Sequence, residues 1–409
     1  MSNLLSRTER FFLLFSMIAG FCIAMEYSIT RPALNALFVT AYGPEAFPWV
    51  WMGTVPLNFL IIWLYNRYLP TLGPVSMMGR IIAGVVVVNA LSPLVTPHFA
   101  PFLFLQLAWK EIYILLMYKQ LWSMIHATIS MERARVLYGV LYLMGSLGSL
   151  AGSFVPAFMA PLIGTARFFW ISPFLYAIIG AAFWAAFRHS RAHTYREAAS
   201  GSATEAIRMI GRNRTLLGVL LLVIFMQITV ALADYRFQFF LAQAEHLVDL
   251  RTQLAGRVFG AMNLLSFLFQ LIGGVFLVHT IGLRRAHFII PVALLALTGL
   301  LTLNPTFAMA AIVLAVTKSV DFSLFGVIRE MLWVPLQLDE KYRAKAIIDV
   351  FAYRTAKAFA SLLLLGLQLI PGIGILPLVN GLGVAVFVGW LAAVYWLLPS
   401  REAPSRVAS

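Results

Sequence analysis

Long apolar runs separated by short polar connections make up most of this chain. Twelve of these runs reach the roughly 20 residues that an α-helix needs to cross a bilayer. The predicted spans 1 to 12 cover 11–31, 47–66, 80–97, 101–125, 136–161, 168–187, 214–242, 255–280, 285–303, 306–336, 346–370 and 373–398. The pattern therefore predicts an all-α membrane protein with 12 transmembrane helices.

Composition supports the same class of protein. Of the 409 residues, 61% are hydrophobic and 11% are charged, whereas a soluble domain carries about a quarter charged residues. The formal net charge of +14 would suggest nucleic acid on a soluble protein, but a membrane protein collects Lys and Arg in its cytoplasmic loops. We therefore expect the lipid bilayer and no nucleic acid as a partner. Cys22 is the only cysteine, which excludes an intramolecular disulfide.

The distribution of Lys and Arg predicts the orientation of the chain. Basic residues fall in alternate connections, at Arg7 and Arg10, Arg67 and Arg80, Arg133 and Arg135, Arg284 and Arg285, and Lys341, Arg343 and Lys345. The connections 41–46, 98–100 and 371–372 contain no Lys or Arg. By the positive-inside rule both termini face the cytoplasm, with the chain in a bacterial inner membrane and residues 1–10 preceding an uncleaved first span.

One long polar segment divides the chain into two halves. It covers 188–213, which we interpret as a cytoplasmic linker between an N-terminal six-helix half, 1–187, and a C-terminal half, 214–409. Glu26-Tyr27 and Asp234-Tyr235 lie 208 residues apart, and so do Lys110 and Lys318. Two repeated six-span halves are the plan of the major facilitator fold.

The ionisable residues within the spans are the candidate functional residues, because each is costly in hydrocarbon. They lie mainly on spans 1, 4, 7 and 10, which line a central cavity in that plan, and on span 11. The candidate substrate-binding residues are Glu26, Arg31, Lys110, Glu111, Asp234, Lys318, Asp321, Glu330, Arg354 and Lys357. On an α-helix, Lys318 and Asp321 share a face, and Arg329 returns to nearly the same direction.

All the ionisable residues predicted within the spans, which also include Lys119, Arg236, Arg329 and Asp349, comprise eight cations and six acids. This excess of positive charge favours an anionic solute, since Lys and Arg suit phosphate and carboxylate groups. Two alternatives stay open. Arg329, Glu330 and Asp349 could form salt bridges that hold a closed state. Glu26 or Asp234 could carry protons, because a desolvated carboxylate titrates nearer neutral pH.

Other features predict structure and not chemistry. Gly145, Gly148 and Gly152 in span 5 form a stripe of small residues that would let this span pack closely on a neighbour. A phosphate-binding loop requires a preceding strand, which the pattern does not predict. We find no metal constellation and no nucleophile motif in the sequence, and we expect neither an enzyme nor a cofactor.

Spans 10 and 11 carry a recognisable series of short motifs. The stretch Lys318-Ser-Val-Asp-Phe-Ser-Leu-Phe325 is followed by Arg329-Glu330-Met331, Val334-Pro335-Leu336, Lys345-Ala-Ile-Ile-Asp349 and Lys357. This series resembles the ATP:ADP antiporter (nucleotide translocase) family of plastids and obligate intracellular bacteria, and the N-terminal half agrees more loosely. The resemblance implies a nucleotide carrier in which Glu111, Glu330 and Lys357 are critical charges, with Lys318 and Asp349 beside them.

This chain departs from the family at two positions. Leu34 stands where the family has a lysine, and Ala356-Lys357-Ala358 replaces a Gly-Lys-Ser. Both differences concern nucleotide specificity more than the fold.

Three hypotheses follow. The leading one is a secondary active transporter of an anionic, phosphorylated solute that works by alternating access. The second is a proton-coupled importer or exporter of another metabolite, such as a siderophore or a cell-wall fragment. The third, a membrane module that senses a ligand or anchors a partner without transport, leaves the buried charges without a purpose.

Overall fold

The computed structural model describes residues 6–129, 131–190, 203–333, 348 and 352–397, without the side chains of 131–136, 203–207, 272–279, 353 and 354. The described residues form helices and no strands. The helices are α1 Arg7–Tyr42, α2 Phe47–Val95, α3 Phe102–Thr128, α4 Met131–Ile163, α5 Ser172–Arg188, α6 Ala203–Arg212, α7 Arg214–Ala244, α8 Val248–Ile281, α9 Leu283–Leu303, α10 Phe307–Val320, α11 Gly326–Leu332, α12 Tyr353–Gln368 and α13 Ile375–Leu397. The predicted all-α membrane protein is confirmed.

Within the described residues, nine helical segments are long and apolar enough to cross a membrane, compared with twelve predicted spans. The difference has identifiable causes. Predicted spans 2 and 3 fall in α2, which bends at Gly73 between Pro70 and Pro74 with φ of 73°, a backbone conformation that glycine adopts readily. The helices α3 and α12, which correspond to spans 4 and 11, are not among the nine; α3 carries three charged residues and α12 has 16 residues.

The chain forms two compact units. In the first, residues 1–198 and 238–267, α1 packs against α3, α4 and α5. A Cβ at Gly148 would lie 2.2 Å from the carbonyl oxygen of Phe21, and a Cβ at Gly152 would lie 2.3 Å from that of Met25. Only glycine permits α4 to approach α1 so closely, so the predicted role of this small-residue stripe is confirmed at both positions.

The beginning of α8 is joined to the rest of the first unit by polar contacts. Asp249 accepts hydrogen bonds from the backbone N–H and the hydroxyl of Thr165, at 2.7 and 2.6 Å. Arg251 donates to the hydroxyl of Thr40 at 2.6 Å. These bonds attach residues that follow α7 in the chain to the ends of α1 and α4.

The second unit comprises 199–237 and 268–409. Its apolar core includes Leu216 and Val223 of α7, Leu294 of α9 and Trp390 of α13. The predicted linker 188–213 contains α6, and its residues 191–202 lie outside the described part. The division into 1–187, 188–213 and 214–409 stays a prediction.

Predicted span 10 is not a uniform α-helix. A π-helical turn, Asp321–Phe325, separates α10 from α11. A π turn adds a residue to the helical repeat, and such turns often occur at functional sites. The expectation that Arg329 shares the direction of Lys318 assumed an unbroken α-helix, so it does not hold across this turn.

Candidate functional site

Glu26 lies at the centre of a polar network in the first unit, and its side chain is fully buried. Its Oε2 accepts hydrogen bonds from the hydroxyls of Tyr176 at 2.7 Å and Tyr113 at 3.1 Å. Its Oε1 accepts from the hydroxyl of Ser172 at 2.8 Å and from Nδ2 of Asn89 at 3.2 Å. Four uncharged donors from α2, α3 and α5 thus satisfy a carboxyl group of α1.

The network continues beyond these donors. Asn89 also donates to Ser172 at 3.0 Å, and it accepts from Gln106 at 3.5 Å. Ser92 donates to Gln106 at 2.7 Å. The sequence analysis missed these uncharged residues because it searched the spans for charges. Buried Asn, Gln, Ser and Tyr within predicted spans were the available signal, since they too require partners in a membrane.

The predicted cations of the first unit contact aromatic rings near this network. Lys110 is buried, and its Nζ lies 5.5 Å from the centroid of the ring of Tyr27, the residue next to Glu26. The guanidinium carbon of Arg31 lies 4.6 Å from the centroid of Phe259 and 5.7 Å from that of Tyr27. Both distances suit cation–π attraction.

In the second unit, Lys318 forms an ion pair with Asp234. Nζ of Lys318 lies 2.5 Å from Oδ2 of Asp234, and the two side chains are 4% and 10% exposed. Asp321, one turn after Lys318, accepts hydrogen bonds from Gln227 at 3.1 and 3.2 Å. Gln227 and Asp234 are seven residues apart and therefore share the face of α7 that meets α10.

The side chains of the remaining candidates are more exposed to solvent, or they lie outside the part of the chain that the structure describes. The Glu330 side chain is 46% exposed and lies 3.6 Å from the guanidinium of its neighbour Arg329. Glu111 and Lys357 are partly buried. The side chain of Arg354 lies outside the described part, as does the whole of Asp349.

The structure thus places Glu26, Lys110 and Arg31 near one another in the first unit, and it joins Asp234 to Lys318, with Asp321 one turn away, in the second. A single chamber shared by spans 1, 4, 7, 10 and 11 stays a prediction.

Comparison with known proteins gives a family match over part of the chain, and a fold. Residues 264–400 match the family model described as TLC ATP/ADP transporter, a segment that contains Lys318, Asp321, Glu330, Arg354 and Lys357. A comparison with curated proteins finds no match.

Solved structures of transporters are similar over nearly the whole chain. The nucleoside transporter NupG superposes with a TM-score of 0.65 at 13% identity, covering 93% of this chain and 99% of that one. A POT family peptide transporter gives 0.67 at 12% identity, covering 99% of both chains. A D-xylose-proton symporter gives 0.62 at 14% identity, covering 95% of this chain and 98% of that one. The predicted major facilitator fold is confirmed.

Proposed function

We propose that this chain is a secondary carrier of an anionic, phosphorylated solute. It is a transporter of the major facilitator fold and not an enzyme, and it has a TLC ATP/ADP transporter domain at 264–400. Nucleotides are the first candidates, because the matched domain is that of an ATP/ADP transporter. We place the carrier in a bacterial inner membrane with both termini in the cytoplasm, from the distribution of basic residues.

The observation that carries this proposal is the buried pair of Lys318 and Asp234. A lysine in a membrane span is stable only with a partner that offsets its desolvation. An anionic group of the solute can replace Asp234 as that partner, so binding exchanges one ion pair for another. The released carboxylate of Asp234 then requires a new partner or a proton. Anion binding is thereby coupled to a rearrangement of α7 relative to α10 within the second unit.

The surroundings of the pair suit such an exchange. The π turn at Asp321–Phe325 begins three residues after Lys318 and interrupts the regular helical bonding there. Gln227 donates to both oxygens of Asp321, which leaves Asp321 satisfied while the neighbouring pair changes partners. We assign Lys318 to anion binding, Asp234 to charge compensation and Asp321 to positioning.

The other candidates receive roles by two different routes. Lys110 and Arg31 are the cations of the first unit with aromatic neighbours, which suits contact with an anionic and planar solute. Glu111, Glu330 and Lys357 are assigned to transport through their resemblance to critical charges of the nucleotide translocase family, and Arg354 through its proximity in sequence to Lys357.

A proton-coupled carrier of another metabolite is the second candidate, and Glu26 is the observation that favours it. This carboxyl group is fully buried, and its four hydrogen-bond donors are uncharged. The hydroxyls of Ser172, Tyr113 and Tyr176 can turn to accept a bond, so they can accommodate a protonated or an ionised Glu26. Such a group can bind and release a proton during transport.

Uptake of labelled ATP into proteoliposomes, with and without internal ADP, distinguishes the two candidates. We expect uptake that depends on internal ADP and falls at least about tenfold in Lys318→Ala, because a charge-assisted bond contributes roughly 1.5–3 kcal/mol. Lys318→Arg should retain part of the uptake. Lys119→Ala is the matched control, since this lysine is half-exposed and donates to Asn66 at 3.1 Å.

Two results would decide against exchange of nucleotides. One is the absence of uptake across a panel of nucleotides. The other is uptake of a solute that an imposed pH gradient drives in vesicles without internal counter-substrate, which would favour the proton-coupled carrier.

A further inference from the structure

Arg236 of α7 is a buried cation whose charge no protein group balances among the described residues. Its side chain is 3% exposed, and no described carboxylate lies within 4 Å of its guanidinium. One hydrogen bond is formed, from Nη2 to the carbonyl oxygen of Val379 in α13 at 2.9 Å, whereas Nε has no acceptor. Of the five N–H donors of a guanidinium, one is bonded to Val379, and the buried Nε–H is unused in a place that excludes solvent.

The surface of α13 is shaped to receive this guanidinium. A Cβ at Gly383 would lie 2.7 Å from Nη2 of Arg236, so any larger residue there would displace the group. Asn380 is three residues from Gly383 and therefore on the same face of α13. Its buried Oδ1 also lacks a hydrogen-bond partner. Two unsatisfied polar side chains thus lie along the contact between α7 and α13, which is called the seam below.

A second buried arginine shows what a satisfied guanidinium looks like in this chain. Arg251 is 4% exposed. It donates to the hydroxyl of Thr40, to the carbonyl oxygen of Ala242 and twice to that of Glu245. Oxygen acceptors therefore surround a buried arginine that has a structural role. Arg236 has a single acceptor, which indicates that part of its binding capacity serves a ligand.

We propose that Arg236 and Asn380 form a binding site for one small anion in the seam between α7 and α13. The guanidinium would bind an oxyanion through two parallel N–H bonds, and the Asn380 amide would turn its nitrogen toward the same anion. The ligand is a phosphate or another compact oxyanion, either as a free ion or as the anionic group of the transported solute. Arg236 lies outside the segment 264–400 and is none of the Lys and Glu positions of the resemblance, so this site is distinct from the proposed exchange at Lys318 and Asp234.

Thermal unfolding of the purified protein, titrated with sodium phosphate at constant ionic strength in a gluconate buffer, tests this site. We expect the Tm of the wild type to rise and to saturate with phosphate. In Arg236→Lys, the phosphate concentration for half of the shift should rise at least about tenfold, because an ammonium cannot form the planar bidentate contact. Gly383→Ala, which displaces the guanidinium without removing it, should weaken the response in the same direction.

Arg284→Lys is the matched control. The guanidinium of Arg284 donates the same kind of bond to α13, to the carbonyl oxygen of Tyr395 at 3.1 Å, and its Nε likewise lacks an acceptor, but the residue is only partly buried. Its phosphate response should equal that of the wild type. A parallel titration with ATP identifies the source of the anion: a response to phosphate supports a free ion, and a response to ATP alone supports a group of the solute.

Two outcomes would overturn the site. One is a phosphate and ATP response in Arg236→Lys and Gly383→Ala that equals the wild-type response. The other is a linear, unsaturated rise of Tm in every variant, which is the general effect of phosphate on exposed surface. A saturable response that depends on Arg236, together with no ATP uptake, would retain the site and reject the proposed nucleotide exchange.

Discussion

Two buried acids, Glu26 of α1 and Asp234 of α7, occupy positions 208 residues apart and are stabilised in different ways. Glu26 accepts four bonds from uncharged donors. Asp234 is paired with the charge of Lys318 at 2.5 Å. The first acid is held by dipoles that can reorient, and the second by a cation that other anions can compete for.

The residues around the two acids follow the same offset. Lys110 and Lys318 lie 208 residues apart, as do Tyr113 and Asp321. Tyr113 donates a hydrogen bond to Glu26, whereas Asp321 accepts bonds from Gln227. A donor in the first unit is thus replaced by an acceptor in the second. Asp234 is held instead by the charge of Lys318.

The two buried acids suit two different functions, which their charge alone does not distinguish. The network around Glu26 requires no solute to complete it, so it can act as a fixed support or as a proton site. The pair of Lys318 and Asp234 contains a cation with the strength to bind an external anion. The two units therefore contain different chemistry around their buried acids.

The largest expected effect comes from breaking the ion pair from one side. Asp234→Ala leaves the ammonium of Lys318 buried without its partner, which should lower the free energy of unfolding by about 3–5 kcal/mol. The double variant Asp234→Ala with Lys318→Met removes both charges, and it should recover most of this loss. Thermal and denaturant unfolding of the purified proteins in one detergent give the values for a double-mutant cycle.

An additive cycle would contradict this description of the pair, because two independent residues would each retain their own cost in the double variant. ATP uptake should be absent from both variants, since neither retains the proposed exchange of partners. Stability and transport therefore separate in the double variant, which no purely structural role for Lys318 would produce.

An intermediate effect is expected for Glu26→Gln. The amide must turn its oxygen toward Asn89, whose Nδ2 can only donate, so its NH₂ faces the hydroxyls of Tyr113 and Tyr176. Both hydroxyls can turn to accept, and the loss of charge-assisted bonds should cost about 2–3 kcal/mol. The same unfolding measurements apply, and a loss larger than that of Asp234→Ala would reverse the comparison between the two acids.

Much of the fold could be predicted from the sequence, because a bilayer imposes a strong pattern. The apolar runs, the polar segment 188–213 and the 208-residue offset indicate a two-half membrane protein without any structural information. Spans 2 and 3 were predicted as separate helices, and in the structure they are two helices that meet at a kink at Gly73, for which Pro70, Gly73 and Pro74 were the local signal. The π turn at Asp321–Phe325 had no comparable signal, because Lys318, Asp321 and the serines of this stretch indicate polar positions in a span but not the type of helical turn.

The candidate site was predictable only in part. Charge within spans selected Glu26, Lys110, Asp234 and Lys318, and all four are buried. Their partners were not predictable, since Asn89 and Tyr176 lie 63 and 150 residues from Glu26 in the chain. Helical spacing describes neighbours on one helix, and partners on other helices depend on which helices pack together.

The smallest effect is expected from removing one hydrogen-bond donor of Glu26. This change tests whether the uncharged donors contribute equally to the stability of the buried acid. Tyr176→Phe removes the shorter tyrosine bond, 2.7 Å, and Tyr113→Phe removes the longer one, 3.1 Å, to the same Oε2. We expect losses in the free energy of unfolding of about 1–2 kcal/mol for Tyr176→Phe and about 0.5–1 kcal/mol for Tyr113→Phe, because shorter bonds to an acidic oxygen are stronger. Each ring is buried and stays in place in the variant, so the difference reports the hydroxyl alone. Equal losses would show that the network redistributes its donors, and a loss in either variant as large as that of Glu26→Gln would show that one tyrosine alone holds the acid.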